Sequence, residues 1–297
     1  MRRVFSLLAV LVTSLATMTT LTAPASAITG DYVLDNEHPF VGLLVLYDEN
    51  GDFMGRCSGS LLTPTVFLTA GHCTDGASSA RVYFQRDVGV HYDPATELDP
   101  TTGYPDYCAA GTLGTLCATS HRLYTYGSAE TTPLPNTRDV GLVILDQAIA
   151  LPEYGSLAAP GFLDRLATRR GQQNTTFTAS GYGLTYKTVD PNKTVSFRQR
   201  LMATSHLTNL RSALTGGFNL QTNGNGSGNG GTCNGDSGGP VFYGGYSSNT
   251  IVAVTSFGLN TLCRGTDFAY RVDTVAVQNW IRSIIGSAEF SKITITG

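Results

Sequence analysis

Cys233-Asn234-Gly235-Asp236-Ser237-Gly238-Gly239-Pro240 places a serine between glycines. Glycines permit a tight turn that can present the Ser237 hydroxyl and two backbone N–H groups to one point. Acyl-transfer chemistry needs that arrangement: a nucleophile with oxyanion donors beside it. Outward from the octet, most segments are short apolar or alternating runs bounded by Gly, Pro, Asn or Asp. Val41–Tyr47, Thr65–Ala70, Arg81–Phe84, Val140–Leu145, Thr175–Ser180 and Ile251–Phe257 read as strands at hairpin-like spacing, hence an all-β sandwich or barrel. No strand–helix–strand rhythm is visible. One amphipathic helix stands out after Asp273 or Thr274: Val277, Trp280, Ile281, Ile284 and Ile285 share one face, and Gly286 is its expected end.

Composition agrees with a folded β protein. Of 297 residues, 14% are charged, 41% are hydrophobic and 34 are Gly. A disordered chain, a coiled coil and a collagen are excluded. The net charge of −3, with scattered Lys and Arg, offers no basic stripe for nucleic acid. Met1-Arg2-Arg3, the apolar run Val4–Val12 and the small-residue site Ala25-Ser26-Ala27 read as a secretory signal peptide over 1–27. The mature chain then starts at Ile28. No later window is apolar enough to cross a bilayer, so the expectation is a secreted, extracellular protein without a membrane partner. In that oxidising compartment six cysteines imply disulfides. Fifteen pairings are open. Spacing favours neighbours: Cys57 with Cys73, Cys108 with Cys117, and Cys233 with Cys263. Neither Cys-x-x-Cys nor His-Glu-x-x-His occurs, so zinc is disfavoured.

Activating Ser237 requires a base, and orienting that base requires a carboxylate. His72 stands in Leu68-Thr-Ala-Gly-His-Cys73 at the end of a β-like run. Asp139 opens the apolar strand Asp139-Val-Gly-Leu-Val-Ile-Leu145. The chain order is His, Asp, Ser. An α/β-hydrolase needs its His after the Ser, and none follows His206. A subtilisin-like order could draw on Asp31 or Asp35, but Ser237 lies in the wrong motif and the strands do not suggest a parallel sheet.

Together, Thr69-Ala-Gly-His-Cys73, Arg138-Asp-Val-Gly-Leu-Val-Ile-Leu145 and Gly235-Asp-Ser-Gly-Gly-Pro240 resemble the chymotrypsin/trypsin family of serine endopeptidases, over Ile28 to about Gly286. The resemblance extends to Cys57-Ser-Gly-Ser-Leu-Leu62, the strand before the histidine, and to Ser180-Gly-Tyr-Gly183 in the second barrel. It implies two six-stranded antiparallel β-barrels with the active site between them and a C-terminal α-helix. The implied layout is a first barrel over 28–150 with a long insertion about 87–137, a second barrel over 160–272, a helix over 273–286 and a tail over 287–297. Residues 148–160 suit a linker and 223–231 a flexible loop. The resemblance also implies Cys57–Cys73 and Cys233–Cys263 as disulfides, His72, Asp139 and Ser237 as catalytic residues, and Gly235 and Ser237 as oxyanion donors. It implies substrate contacts at Gly231, Thr232, Asn234, Ser256, Phe257, Gly258 and Asp267, and an ion pair between the Ile28 α-amine and Asp236. Three departures stand out: Phe257 replaces a usual Trp, the His72–Asp139 interval is long, and the second-barrel disulfide has no cysteines.

No cofactor or metal is required by this reading. Asp93, Glu97 and Asp99 in the insertion offer carboxylates that could bind calcium, but such clusters are usually solvated. Asn174, Asn192 and Asn225 stand in glycosylation sequons. Implied partners are protein or peptide substrates and protein inhibitors, on a monomer. Gly231 stands where arginine- and lysine-cutting relatives carry an Asp, so the expected specificity pocket is open, with Asp267 near its floor. Two other readings share these residues: an inactive homologue used as a binding module, and an esterase on the same scaffold.

Overall fold

The computed structural model describes residues 28–89, 93, 95–105, 116–166, 174–185, 198–260 and 262–297. The expected signal peptide over 1–27, Asn192 and Cys108 lie outside the described residues. The fold is all-β: two barrel-like sheets with one long helix near the C-terminus.

The first sheet contains Val41–Tyr47, Phe53–Leu61, Val66–Thr69, Ser79–Tyr83, Cys117–Ser120, Leu123–Thr125 and Gly141–Ile144, all antiparallel. Val41–Leu46 is buried throughout, which matches its unbroken apolar run. The sheet closes because one segment serves two neighbours. Cys117–Ser120 pairs with Ser79–Tyr83, and after a bend at His121 and Arg122, Leu123–Thr125 pairs with Gly141–Ile144. Ser120 holds the bend. Its hydroxyl donates to the Ile144 carbonyl at 2.7 Å and accepts from the Arg122 N–H at 3.0 Å.

The second sheet closes without such a bend. Thr176–Gly181, Leu201–Asn209, Asn219–Asn223, Thr266–Arg271, Thr250–Gly258 and Pro240–Tyr243 pair in that order, and the last returns to the first. Two short strands extend it in parallel: Ser156–Ala158 beside Thr250 and Ile251, and Ile295–Thr296 beside Ser156–Ala158.

Two expectations need correction. The stretch 87–137 is not merely a surface insertion. Cys117–Thr125 is barrel wall, and Tyr104 is buried, with its ring 6.0 Å from that of Tyr83. The prolines hid these anchors. Residues 287–297 are not a loose tail: the helix Val275–Phe290 is interrupted at Gly286, where φ is +79°, and resumes for a final turn before the strand Ile295–Thr296. Gly286 therefore breaks the helix without ending the structure. The carboxylates of Asp93 and Asp99 cap their own turns. Asp93 accepts from the Ala95 N–H, and Asp99 accepts from the N–H groups of Thr101 and Thr102. Among the described residues they form no shared cation cluster.

The helix packs against the larger of the hydrophobic cores. Thr274 caps it by accepting from the Val277 N–H. Val277, Ile281 and Phe290 then join a core cluster that draws on both barrels, with Phe67 and Leu68 from the first and Phe242 and Val254 from the second. Its last turn is tied there by the Thr63 hydroxyl, which donates to Glu289 at 2.8 Å.

Candidate active site

Strand register brings His72 to Asp139. Thr69 pairs with Gly141, so the chain leaving Thr69 and the chain entering Gly141 lie at the same end of the sheet. Beyond that end, the helical turn Gly71–Thr74 carries His72. The disulfide Cys57–Cys73 anchors the turn to the neighbouring strand. The His72 N–H donates to Asp139 Oδ1 at 2.8 Å, and Nδ1 lies 2.9 Å from Oδ2. A carboxylate can only accept, so Nδ1 carries the proton and Nε2 of the neutral ring is left as an acceptor. Asp139 is fully buried. A third donor, the Ser256 hydroxyl, reaches its Oδ2 at 2.5 Å. A buried carboxylate without such donors is strongly disfavoured.

Burial disfavours the charged form of His72. The Asp139 hydrogen bond and charge, with a smaller push from Glu130, outweigh it and hold the imidazole above its ordinary value. Cys57, His72 and Cys73 cluster within metal-ligand reach. Both sulfurs are spent in the disulfide, so no thiolate is offered.

The Ser237 loop is a tight turn. The Asp236 N–H donates to the Cys233 carbonyl at 3.0 Å, and the Gly239 N–H to the Asp236 carbonyl at 2.8 Å. Gly235 and Gly238 hold φ values of +96° and +78°. At Gly238 a side chain would also strike Thr69 and the backbone of Ala70, so the loop presses onto the strand that leads to His72. Among the described residues, the N–H groups of Gly235 and Ser237 have no intramolecular acceptor.

His72 and Ser237 line one cavity of about 350 Å³. Thr232, Asn234, Ser256, Phe257, Gly258 and Asp267 line it too. Phe257 is braced by stacking on Phe268, with ring centroids 4.6 Å apart. Leu259 stands at the rim, 62% exposed. Gly231 does not line this cavity. It pairs with Thr29 and lies behind Asp267, whose Oδ2 would be 2.6 Å from any Cβ at position 231. A larger residue there would displace Asp267. Asp267 forms no ion pair with Arg264 among the described residues; it accepts from the Thr232 N–H at 3.0 Å. Burial pushes its carboxyl up to about 6.

Asp236 is also buried. Its two oxygens accept from the N–H groups of Gly183 and Cys233, at 2.8 and 2.9 Å. Burial still pushes its carboxyl up to about 7. Ile28 is fully buried against Leu201 and Ala203, and the next residue, Thr29, pairs with Gly231. The disulfide Cys233–Cys263 closes the same region. Cys117 is also disulfide-bonded, and the expected pairing with Cys108 lies outside the described residues. Sequence reasoning missed three contributors: the Ser256 hydroxyl on Asp139, Glu130 beside His72, and Ser58, whose backbone N–H donates to the Ser237 carbonyl at 2.8 Å. None carries a local signal, because each acts across a long sequence interval.

Comparison with known proteins agrees with this architecture. The family model described as Trypsin matches residues 27–281, and the chain belongs to that family of trypsin-like serine proteases. It is 28% identical to Serine protease 1 of Drosophila melanogaster over 247 residues, 83% of this chain and 80% of that one. A CLIP domain-containing serine protease B10 of Anopheles gambiae is 35% identical over 83 residues, 27% of this chain and 22% of that one. Among solved structures, HL collagenase superposes with a TM-score of 0.60 at 18% identity, covering 86% of this chain and 97% of that one. Human heparin binding protein superposes at 0.57 with 18% identity, covering 88% and 97%. At such identities the structures carry the fold alone.

Glu130 is exposed, so its effect on His72 is the part of the imidazole environment that salt can screen. In Glu130→Gln protein the His72 midpoint, followed by imidazole NMR, moves to lower pH, by less than loss of Asp139 would move it. Added salt moves the wild-type midpoint in the same direction. An unchanged midpoint in the variant means that Glu130 does not act on His72.

Proposed function

We propose that this protein is a secreted serine endopeptidase that hydrolyses peptide bonds through an acyl-enzyme. The observation that carries the reading is His72 hydrogen-bonded through Nδ1 to buried Asp139, in a cavity that it lines together with Ser237. Ser237 Oγ attacks the peptide carbonyl while His72 Nε2 takes its proton. The N–H groups of Gly235 and Ser237 stabilise the oxyanion. His72 then delivers the proton to the leaving amine, and water repeats the sequence on the acyl-enzyme. Asp139 stabilises the imidazolium formed in each half. The base form of His72 is required, so activity falls as pH drops through its raised midpoint. Ser237→Ala leaves the fold intact and lowers turnover by about 10⁶-fold. A covalent serine probe labels wild type at Ser237 and not the variant. Full activity in Ser237→Ala overturns the reading, and failure to label wild type favours an inactive binding homologue.

Activation follows from signal-peptide removal. Cleavage before Ile28 frees an α-ammonium that pairs with Asp236. Ile28 holds φ at +69°, an uncommon value for a β-branched residue. Cutting the preceding peptide bond abolishes that torsion and its strain. In the uncut chain Asp236 binds a proton more tightly than in the unfolded state, so stability declines as pH rises from about 4 to about 7. The ammonium reverses this by favouring the carboxylate. Protein starting at Ile28 should therefore be more stable at pH 7 than protein with one extra N-terminal residue, by on the order of 3 kcal/mol. Equal stability, or active enzyme that begins beyond Ile28, rejects this route.

The specificity pocket accepts large apolar and aromatic residues, with Lys or Arg admitted through Asp267. Its carboxyl ionises above about 6, so cleavage after Arg should rise relative to cleavage after Leu as pH climbs through that value. A peptide series varied only at this position measures the ratio. Asp267→Ser flattens it. If the variant keeps the wild-type ratio at every pH, Asp267 has no part in selection.

A further inference from the structure

We propose that Ser58 is a positioning residue whose hydroxyl, sealed between the barrels, holds the nucleophile loop in its donor-presenting conformation. This rests on the reading of Ser237 as the nucleophile. Ser58 is completely buried and has no place in the cavity. It makes four hydrogen bonds to three separate segments. Its Oγ donates to the Gly235 carbonyl at 2.8 Å and accepts from the Tyr182 N–H at 2.9 Å. Its backbone N–H donates to the Ser237 carbonyl at 2.8 Å. Its carbonyl accepts from the Thr69 hydroxyl at 2.8 Å, on the strand that leads to His72.

The direction of the two side-chain bonds is forced. An amide N–H only donates and a carbonyl only accepts, so the single hydroxyl proton must point to Gly235. That bond falls where restraint matters. Gly235 lacks a Cβ and holds φ at +96°, so its flanking peptide planes can rotate at little steric cost. Rotation re-aims the Gly235 N–H. The Leu184 N–H holds the Asn234 carbonyl at 2.9 Å, and with it the plane that carries the Gly235 N–H; Ser58 holds the Gly235 carbonyl and so the next plane, and the two tethers together restrict rotation at Gly235. Tyr182, the other partner, precedes Gly183, whose N–H holds Asp236 Oδ1 at 2.8 Å. One hydroxyl thus couples the turn that seats Asp236 to the residue preceding Asp236 in the loop.

Alanine keeps the Ser58 Cβ and removes only the oxygen. The expected result for Ser58→Ala is a folded, disulfide-intact protein whose kcat per titrated active site falls about ten- to a hundredfold. KM stays within about threefold and the acid midpoint of the pH profile is unchanged, since Ser58 touches neither substrate nor His72. Amide hydrogen exchange should accelerate at Tyr182 and across Cys233–Gly239, and not in the first-barrel strands. Ser58→Gly, which also lacks the hydroxyl, should move in the same direction. Wild-type kcat per active site in either folded variant overturns the proposal, even if melting temperature drops. If wild type shows no Ser237-dependent turnover, the peptidase reading fails and hydrogen exchange still decides: a wild-type pattern over Cys233–Gly239 rejects positioning by Ser58.

Discussion

Two consecutive residues on one strand of the first barrel, Cys57 and Ser58, set the relation between the halves of the site. Cys57 is covalently joined to Cys73 and so pins the turn that carries His72. Ser58 points the opposite way, as successive strand residues must, and binds the Ser237 loop through backbone and side chain. A covalent bond on one side and buried hydrogen bonds on the other make the His72–Ser237 relation insensitive to small motions of either barrel. Leu61, three residues later, extends the junction by hydrogen bonds to Phe40 and Gly155.

Around this junction lie buried carboxylates, each supplied with donors. Asp139 takes three, from His72 and Ser256. Asp35 accepts from the His38 backbone and imidazole and from the Ser180 hydroxyl. Asp273 is gripped by Arg271 at 2.8 Å. Asp236 has only two backbone donors and no cation among the described residues, and its raised affinity for a proton is the consequence. Of these four carboxylates, Asp236 is the least supplied with donors.

Legibility depended on how far apart in sequence the partners lie. Strands with continuous apolar runs, such as Val41–Tyr47, were plain because burial dictates composition locally. Leu201–Asn209 was not. Its sequence, Leu-Met-Ala-Thr-Ser-His-Leu-Thr-Asn, is half polar, and its strand state comes from six paired residues on Thr176–Gly181. Cys117–Thr125 was hidden among prolines and became wall only through two different neighbours. The Ser256–Asp139 bond spans 117 residues, and no local pattern marks it.

The linear sequence determined the β class, the amphipathic face of the C-terminal helix, and the motifs of His72, Asp139 and Ser237. Each is written in residue periodicity or in short spacings that backbone geometry reads directly. Only the tertiary structure decided that Gly231 lies behind Asp267, that Gly286 interrupts rather than ends the helix, and that Ser58 is a hub. Those facts depend on what approaches each residue from elsewhere in the chain. A glycine's role is the atom that fills its missing Cβ, and a serine's role is the donor and acceptor placed on either side of its oxygen.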